Sequence, residues 1–131
     1  MTLQPALALV RAAAHLSSHV DSALARIGID FADMRRLRAI GAADGGISRS
    51  ELAATMAESP SQTVRATRPL EKLGWVEGNG GRFGLSASGR RLLESAEEIA
   101  CPAAARWFAE HGSDVAVLGP QSSCRSAPSR C

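Results

Sequence analysis

The chain of 131 residues contains no tyrosine, and aromatic residues make up only 4% of it. A β-sandwich or barrel draws heavily on aromatic and β-branched residues. A core assembled from Ala, Leu, Ile and Val instead favours packed helices. No run of about 18 uncharged apolar residues occurs, so no membrane-spanning helix is expected. The first apolar stretch has no basic residue before it and is interrupted by Arg11, unlike a signal peptide, so a cytoplasmic location is expected. Three cysteines are an odd number and do not make a disulfide framework. There is no Gly-rich phosphate loop, no Cys-x-x-Cys pair and no locally supported Ser/His/Asp set. His15 and His19 lie four apart on one helix face, but no further ligand joins them. The expectation is a protein that is not an enzyme and has no cofactor or metal. Nor does one sign of charge dominate: 15 Lys and Arg face 13 Asp and Glu, for a net charge of +2.

What the sequence does contain is a series of sharply punctuated helices. Residues 5–27 carry Leu7, Val10, Leu16, Val20, Leu24 and Ile27 at helical spacing, with Pro5 suited to a first turn and Gly28 to a stop. About 23 residues span roughly 34 Å, long for a domain of this size, and one apolar face that long needs a neighbour. A second helix is predicted over 31–42, capped by Asp30, with Met34, Leu37 and Ile40 inward and Arg35, Arg36 and Arg38 outward as a solvated face. Ala43-Asp44-Gly45-Gly46 is a turn. Ile47 is then either a short strand or the apolar residue that precedes a cap.

Two capping boxes follow at close spacing. Ser48 with Glu51 opens a helix over 49–56 with Leu52, Ala53 and Met56 inward. Ser59 with Gln62 opens another, with Pro60 at its first position and Gly74 beyond its end. On this second helix Thr63, Thr67 and Leu70 share one face, while Ser61, Gln62, Arg65 and Arg68 point away. Two short capped helices joined by a tight turn make a helix-turn-helix. The polar, cationic face of the second suits a DNA major groove. Pro69 either bends this helix or ends it near Arg68. Residues 75–86 follow as a hairpin around Gly78-Asn79-Gly80-Gly81, with Arg82 near its tip. Residues 49–91 hold seven Lys or Arg against four Glu, so positive charge gathers around the candidate DNA reader.

The pattern Ser59-Pro60-Ser61, Arg65, Leu70-Glu71, Gly74 and a following apolar pair resembles the recognition helix of the MarR family of winged helix-turn-helix regulators. The resemblance runs more loosely from about Gly28 to Leu93, and Leu85-Ser86-x-x-Gly89 is similar to the family's Leu-Thr-x-x-Gly after the wing. It implies a mainly α (α+β) fold: a winged helix-turn-helix with flanking dimerisation helices and a small β-hairpin wing. It also implies a homodimer on double-stranded DNA with a pseudo-palindromic operator, and a small aromatic or anionic effector. The expected layout is a dimerisation helix over 1–28, a DNA-binding domain over 29–95 and a C-terminal helix over 96–112, broken or kinked at Pro102 and anchored by Trp107 and Phe108. A Ser-, Pro- and Gly-rich tail over 113–131 is expected to be disordered.

The predicted DNA contacts are Ser48, Arg49, Ser59, Ser61, Gln62, Arg65, Arg68 and Arg82. Arg65 is the leading base reader, and Arg68 and Arg82 are assigned to phosphates. Cys101, just before Pro102, is a candidate redox thiol, and Cys124 and Cys131 have Arg125 and Arg130 beside them. The competing class is a winged-helix module that docks proteins.

Overall fold

The computed structural model describes residues 2–112 of the chain. It divides into two compact units, one of residues up to Phe31 with those from Ala96 on, the other Ala32–Ser95. In the first unit, α1 spans Gln4–Leu24 and passes into one 3-10 turn, Ala25–Ile27, that Gly28 closes in the left-handed region at φ 80°. The periodicity predicted this helix almost to the residue. Asp21 Oδ1 accepts a 2.7 Å hydrogen bond from the Phe31 amide, holding the chain beyond that stop. Val20, Leu24 and Ile29 are buried, whereas Leu3 just before α1 and Leu7, Leu9 and Val10 on its first half are exposed.

The second unit holds the rest of the small elements. They are α2 (Phe31–Gly41, its first residue at the unit boundary), β1 (Ile47–Ser48), α3 (Arg49–Met56), α4 (Pro60–Lys72), β2 (Val76–Asn79) and β3 (Arg82–Leu85). The three strands form one antiparallel sheet in the order β1-β3-β2. Ile47 pairs with Phe83, so it belongs to a strand and brings the front of α3 to the hairpin. Leu37, Ile40, Ile47, Leu52, Met56, Leu70, Val76 and Leu85 form one buried cluster. Every helix and strand of this unit contributes a side chain to it, which lets so short a segment fold around one core. The hairpin turn is tighter than the sequence suggests. Only Gly80 and Gly81 lie outside the strands, both at positive φ (60° and 80°), as a two-residue turn matched to strand twist requires.

Helix α5 runs unbroken over Ala87–His111, with Pro102 inside it. The expected break is therefore absent. Proline deprives only the carbonyl four residues earlier of its donor. Pro102 and Glu98 are both exposed, so water can replace the lost N–H. The same reasoning explains Pro69: α4 continues past it to Lys72, and Pro69 and Arg65 are both exposed. In the first unit Ala96, Ala100, Ala103 and Trp107 are buried at helical spacing on α5. The Trp107 ring stacks on His111 at 4.5 Å and meets the Phe108 ring edge-on at 5.2 Å. The predicted tail lies outside the described residues. No helix among the described residues is long and apolar enough to cross a membrane.

Candidate nucleic-acid interface

The two N-terminal caps repeat one another closely. Ser48 Oγ accepts from the Glu51 amide at 3.1 Å, and Glu51 Oε1 accepts from the Ser48 amide at 2.9 Å. Ser59 Oγ accepts from the Gln62 amide at 3.2 Å, and Gln62 Oε1 accepts from the Ser59 amide at 2.9 Å. Each reciprocal pair satisfies donors that a helix start leaves orphaned. Between the helices the chain reverses at Ala57, at φ 55°. The Glu58 amide returns to the Ala53 carbonyl at 2.9 Å and completes the reversal. A left-handed residue after a helix normally favours glycine. Alanine in this place holds a strained turn.

Helix α4 then separates its two faces. Thr63, Thr67 and Leu70 are buried, and the Thr67 hydroxyl donates to the Thr63 carbonyl at 2.6 Å. Ser61, Gln62, Arg65 and Arg68 are exposed. Of the other predicted contacts, Arg49 is exposed at the start of α3, and the Ser48 and Ser59 hydroxyls accept from backbone amides as caps. The predicted set is therefore gathered on the helix-turn-helix, with Arg82 on the neighbouring strand. Arg82 does not simply project from the wing. Its Nη2 donates to the Gly46 carbonyl at 3.2 Å and approaches Glu51 Oε1 at 3.4 Å. Hydrogen bonds from the Ser48 amide and the Ser48 side chain hold the Glu51 carboxyl below its usual pKa against an opposing desolvation, with a lesser contribution from the Arg82 charge.

The joint behind the wing explains the Leu85-Ser86-x-x-Gly89 pattern. Ser86 Oγ accepts from the Gly89 amide at 3.0 Å, capping α5, and the Ser86 amide donates to the Trp75 carbonyl at 3.0 Å. A Cβ at Gly89 would overlap that same Trp75 carbonyl oxygen. Only glycine lets α5 start so close to the strand.

One feature of the site is not what the sequence predicts. Arg36 is not outward with Arg35 and Arg38 but 3% exposed. Its Nη1 and Nη2 donate to the two carboxylate oxygens of Glu58 at 2.7 and 2.8 Å. The Thr63 hydroxyl donates to the same carboxylate at 2.9 Å. The Arg36 bonds, with a lesser share from Thr63, outweigh partial desolvation and lower the Glu58 pKa. Three neighbouring arginines read as a solvated stripe, but helical rotation places Arg36 beside the inward Leu37 and Ile40. The missed signal is Glu58 itself. It directly precedes a helix cap, where an apolar residue commonly packs on the fourth helical residue, here Thr63.

Cys101, half-buried on α5, is disulfide-bonded. The odd cysteine count argued against a framework, but one bridge needs only two thiols. Cys124 and Cys131 lie outside the described residues.

No family model matches the chain, and no curated protein matches it. Solved structures do. The MarR family protein Rv2887 of Mycobacterium tuberculosis is 29% identical, with a TM-score of 0.71 over 86% of this chain and 91% of that one. The same protein in complex with DNA gives a TM-score of 0.67 over 86% of this chain and 94% of that one, again at 29% identity; it has also been solved in complex with salicylic acid. The M. tuberculosis transcriptional regulator MosR is 28% identical, with a TM-score of 0.71 over 85% of this chain and 89% of that one. The helix order, the three-stranded wing sheet and the capped second helix of the helix-turn-helix are thus those of a known architecture, and the chain is a winged helix-turn-helix protein with the fold of the MarR family of transcriptional regulators.

Proposed function

We propose that the chain is a sequence-specific, double-stranded-DNA-binding transcriptional regulator, a repressor that acts as a homodimer and is released by a small aromatic or anionic effector. The observation that carries this reading is α4. It buries Thr63, Thr67 and Leu70 and leaves Ser61, Gln62, Arg65 and Arg68 exposed on its first turns. Those are the side chains and the helix end that a major groove accepts. Arg65 is the base reader, since a bidentate arginine–guanine pair discriminates by about 1–3 kcal/mol. Ser61 and Gln62 contact bases or phosphates beside it, Arg49 and Arg68 contact phosphates, and the Ser48 and Ser59 caps carry the two helix starts to the backbone.

The exposed Leu7 and Val10 on one side of α1, with Leu3 just before it, support the homodimer, because an unpartnered apolar helix face is a surface that a second copy can bury. The relative solved with salicylic acid supports an effector of aromatic, anionic chemistry. The disulfide at Cys101 favours a second reading, in which DNA affinity responds to thiol oxidation. In that case a mild reductant changes the affinity of the wild type and not that of Cys101→Ser.

Selection of bound sequences from random duplexes tests the main reading. The expected result is an enriched pseudo-palindrome with half-sites about one helical turn apart, roughly 34–36 Å. Binding should weaken steeply with salt. No retention on DNA at low salt would contradict it and favour a protein-docking module.

A further inference from the structure

A chain approaching a helix often fixes its angle by an apolar contact between the residue before the cap and the fourth helical residue. In α4 those positions are Glu58 and Thr63, and their contact is a hydrogen bond of 2.9 Å. The carboxylate is fastened from behind by the planar fork of Arg36, at 2.7 and 2.8 Å. Arg36 is 3% exposed, Thr63 0%, and the Glu58 side chain 22%. Arg36 Nε is buried with no hydrogen-bond partner among the described residues, so this arrangement carries a desolvation cost that an apolar contact would not. Well-packed apolar residues in place of a buried ion pair are often as stable or more so. Directionality is what the polar version adds. A bidentate guanidinium–carboxylate pair fixes both the distance and the plane of its partner.

What it fixes lies one residue before the N-cap of α4. Ser59 caps α4 immediately after Glu58, and Glu58, Gln62, Arg65 and Ala66 line one open depression of about 300 Å³. A shift of the Glu58 carboxylate therefore reaches the first two turns of α4 without an intermediary. Recognition geometry has to hold within about 0.5 Å to be productive.

We infer that Arg36, Glu58 and Thr63 are positioning residues for DNA reading: an ionic staple from α2 that sets the approach of α4 and so the aim of Gln62 and Arg65. The inference rests on the DNA-binding reading above. It assigns the three residues no contact with DNA and separates their effect on specificity from their effect on stability.

The test uses the full chain, a duplex enriched from the random selection and a scrambled duplex of equal length, at fixed salt and below the melting temperature of each variant. The double variant Arg36→Met with Glu58→Leu replaces the ionic staple by an apolar one. The expected result is a melting temperature no lower than wild type, with the ratio of specific to non-specific affinity reduced about tenfold and non-specific affinity unchanged. Thr63→Val, which removes only the hydroxyl, should lower the same ratio about threefold. Either folded variant keeping the wild-type ratio overturns the inference. So does an equal loss on both duplexes, which would mark a general structural role. If Glu58→Gln alone alters preference at a single base pair while Thr63→Val leaves it intact, Glu58 is itself a reader and the inference also falls. Wild-type protein without any sequence preference would instead overturn the DNA-binding reading, before any variant is made.

Discussion

Two ion pairs flank the helix-turn-helix, and they differ in almost every physical respect. Arg36–Glu58 is bidentate, closes to 2.7 Å, and has side-chain exposures of 3% and 22%. Arg82–Glu51 is a single approach at 3.4 Å between side chains 50% and 60% exposed. Both carboxylates belong to helix starts built on the same serine cap. Glu51 is the capping residue of α3, whereas Glu58 stands before the cap of α4 and leaves that task to Gln62. The wing arginine is thus held loosely, by a pair that water and salt can compete with. The start of α4 is held by a pair whose arginine is buried and whose carboxylate is half-buried. If α4 reads bases and Arg82 reaches phosphate, as proposed, the element that must aim is the more firmly held of the two.

The largest effect should come from breaking the buried pair on one side. Arg36→Ala removes buried packing and two charge-assisted hydrogen bonds to the half-buried Glu58 carboxylate, and should destabilise the fold by about 1.5–3 kcal/mol in denaturant titration. If it costs no more than an exposed surface change, the contrast between the two pairs collapses.

Acid titration sharpens the same contrast. The Glu58 carboxyl is held low chiefly by Arg36 and secondarily by Thr63. A depressed carboxylate contributes stability that is complete above the unfolded carboxylate pKa and is lost as pH falls through the lower, folded value. Wild-type stability should therefore fall on acidification in that window, and the Arg36→Met, Glu58→Leu protein should lose less across it. Equal acid slopes in the two proteins would show that the pair is not the titrating element.

Smaller effects are expected at the exposed pair. Glu51→Ala deletes half of a capping box and should lower the melting temperature by a few degrees. Arg82→Ala should leave thermal stability unchanged. It should weaken binding to all DNA sequences alike and reduce the salt slope by about one unit, as expected of a phosphate contact. A loss confined to one sequence would make Arg82 a reader.

Much of the fold was legible because its signals are local. Capping boxes, the existence of a glycine-rich hairpin turn and the apolar seams of α1, α3 and α4 are written within a few residues of where they act. Two features were not legible for the opposite reason. Arg36 and Glu58 are 22 residues apart, and their partnership exists only once α2 and the α3–α4 turn have packed. A charged residue before a cap carries no sign of its partner, and one of three adjacent arginines carries no sign that it turns inward. Pro102 was legible in part: of the break or kink it suggested, the break does not occur. Its cost depends on whether the deprived carbonyl of Glu98 meets water, which burial decides and sequence does not. Among the candidate site residues, the face of α4 was readable because alternating burial on a capped helix is a matter of rotation. The inward turn of Arg82 toward Gly46 and Glu51 required the sheet pairing of β1 with β3 to be known.

The central claim is that the exposed face of α4 reads DNA through Arg65. The most direct measurement is the affinity of Arg65→Ala for the selected duplex and for duplexes altered at each base pair, at one salt concentration. Arg65→Ala should lose about 1–3 kcal/mol on the selected site, with discrimination flattened at one base pair in each half-site. Unchanged affinity and an unchanged profile across the altered duplexes would contradict it.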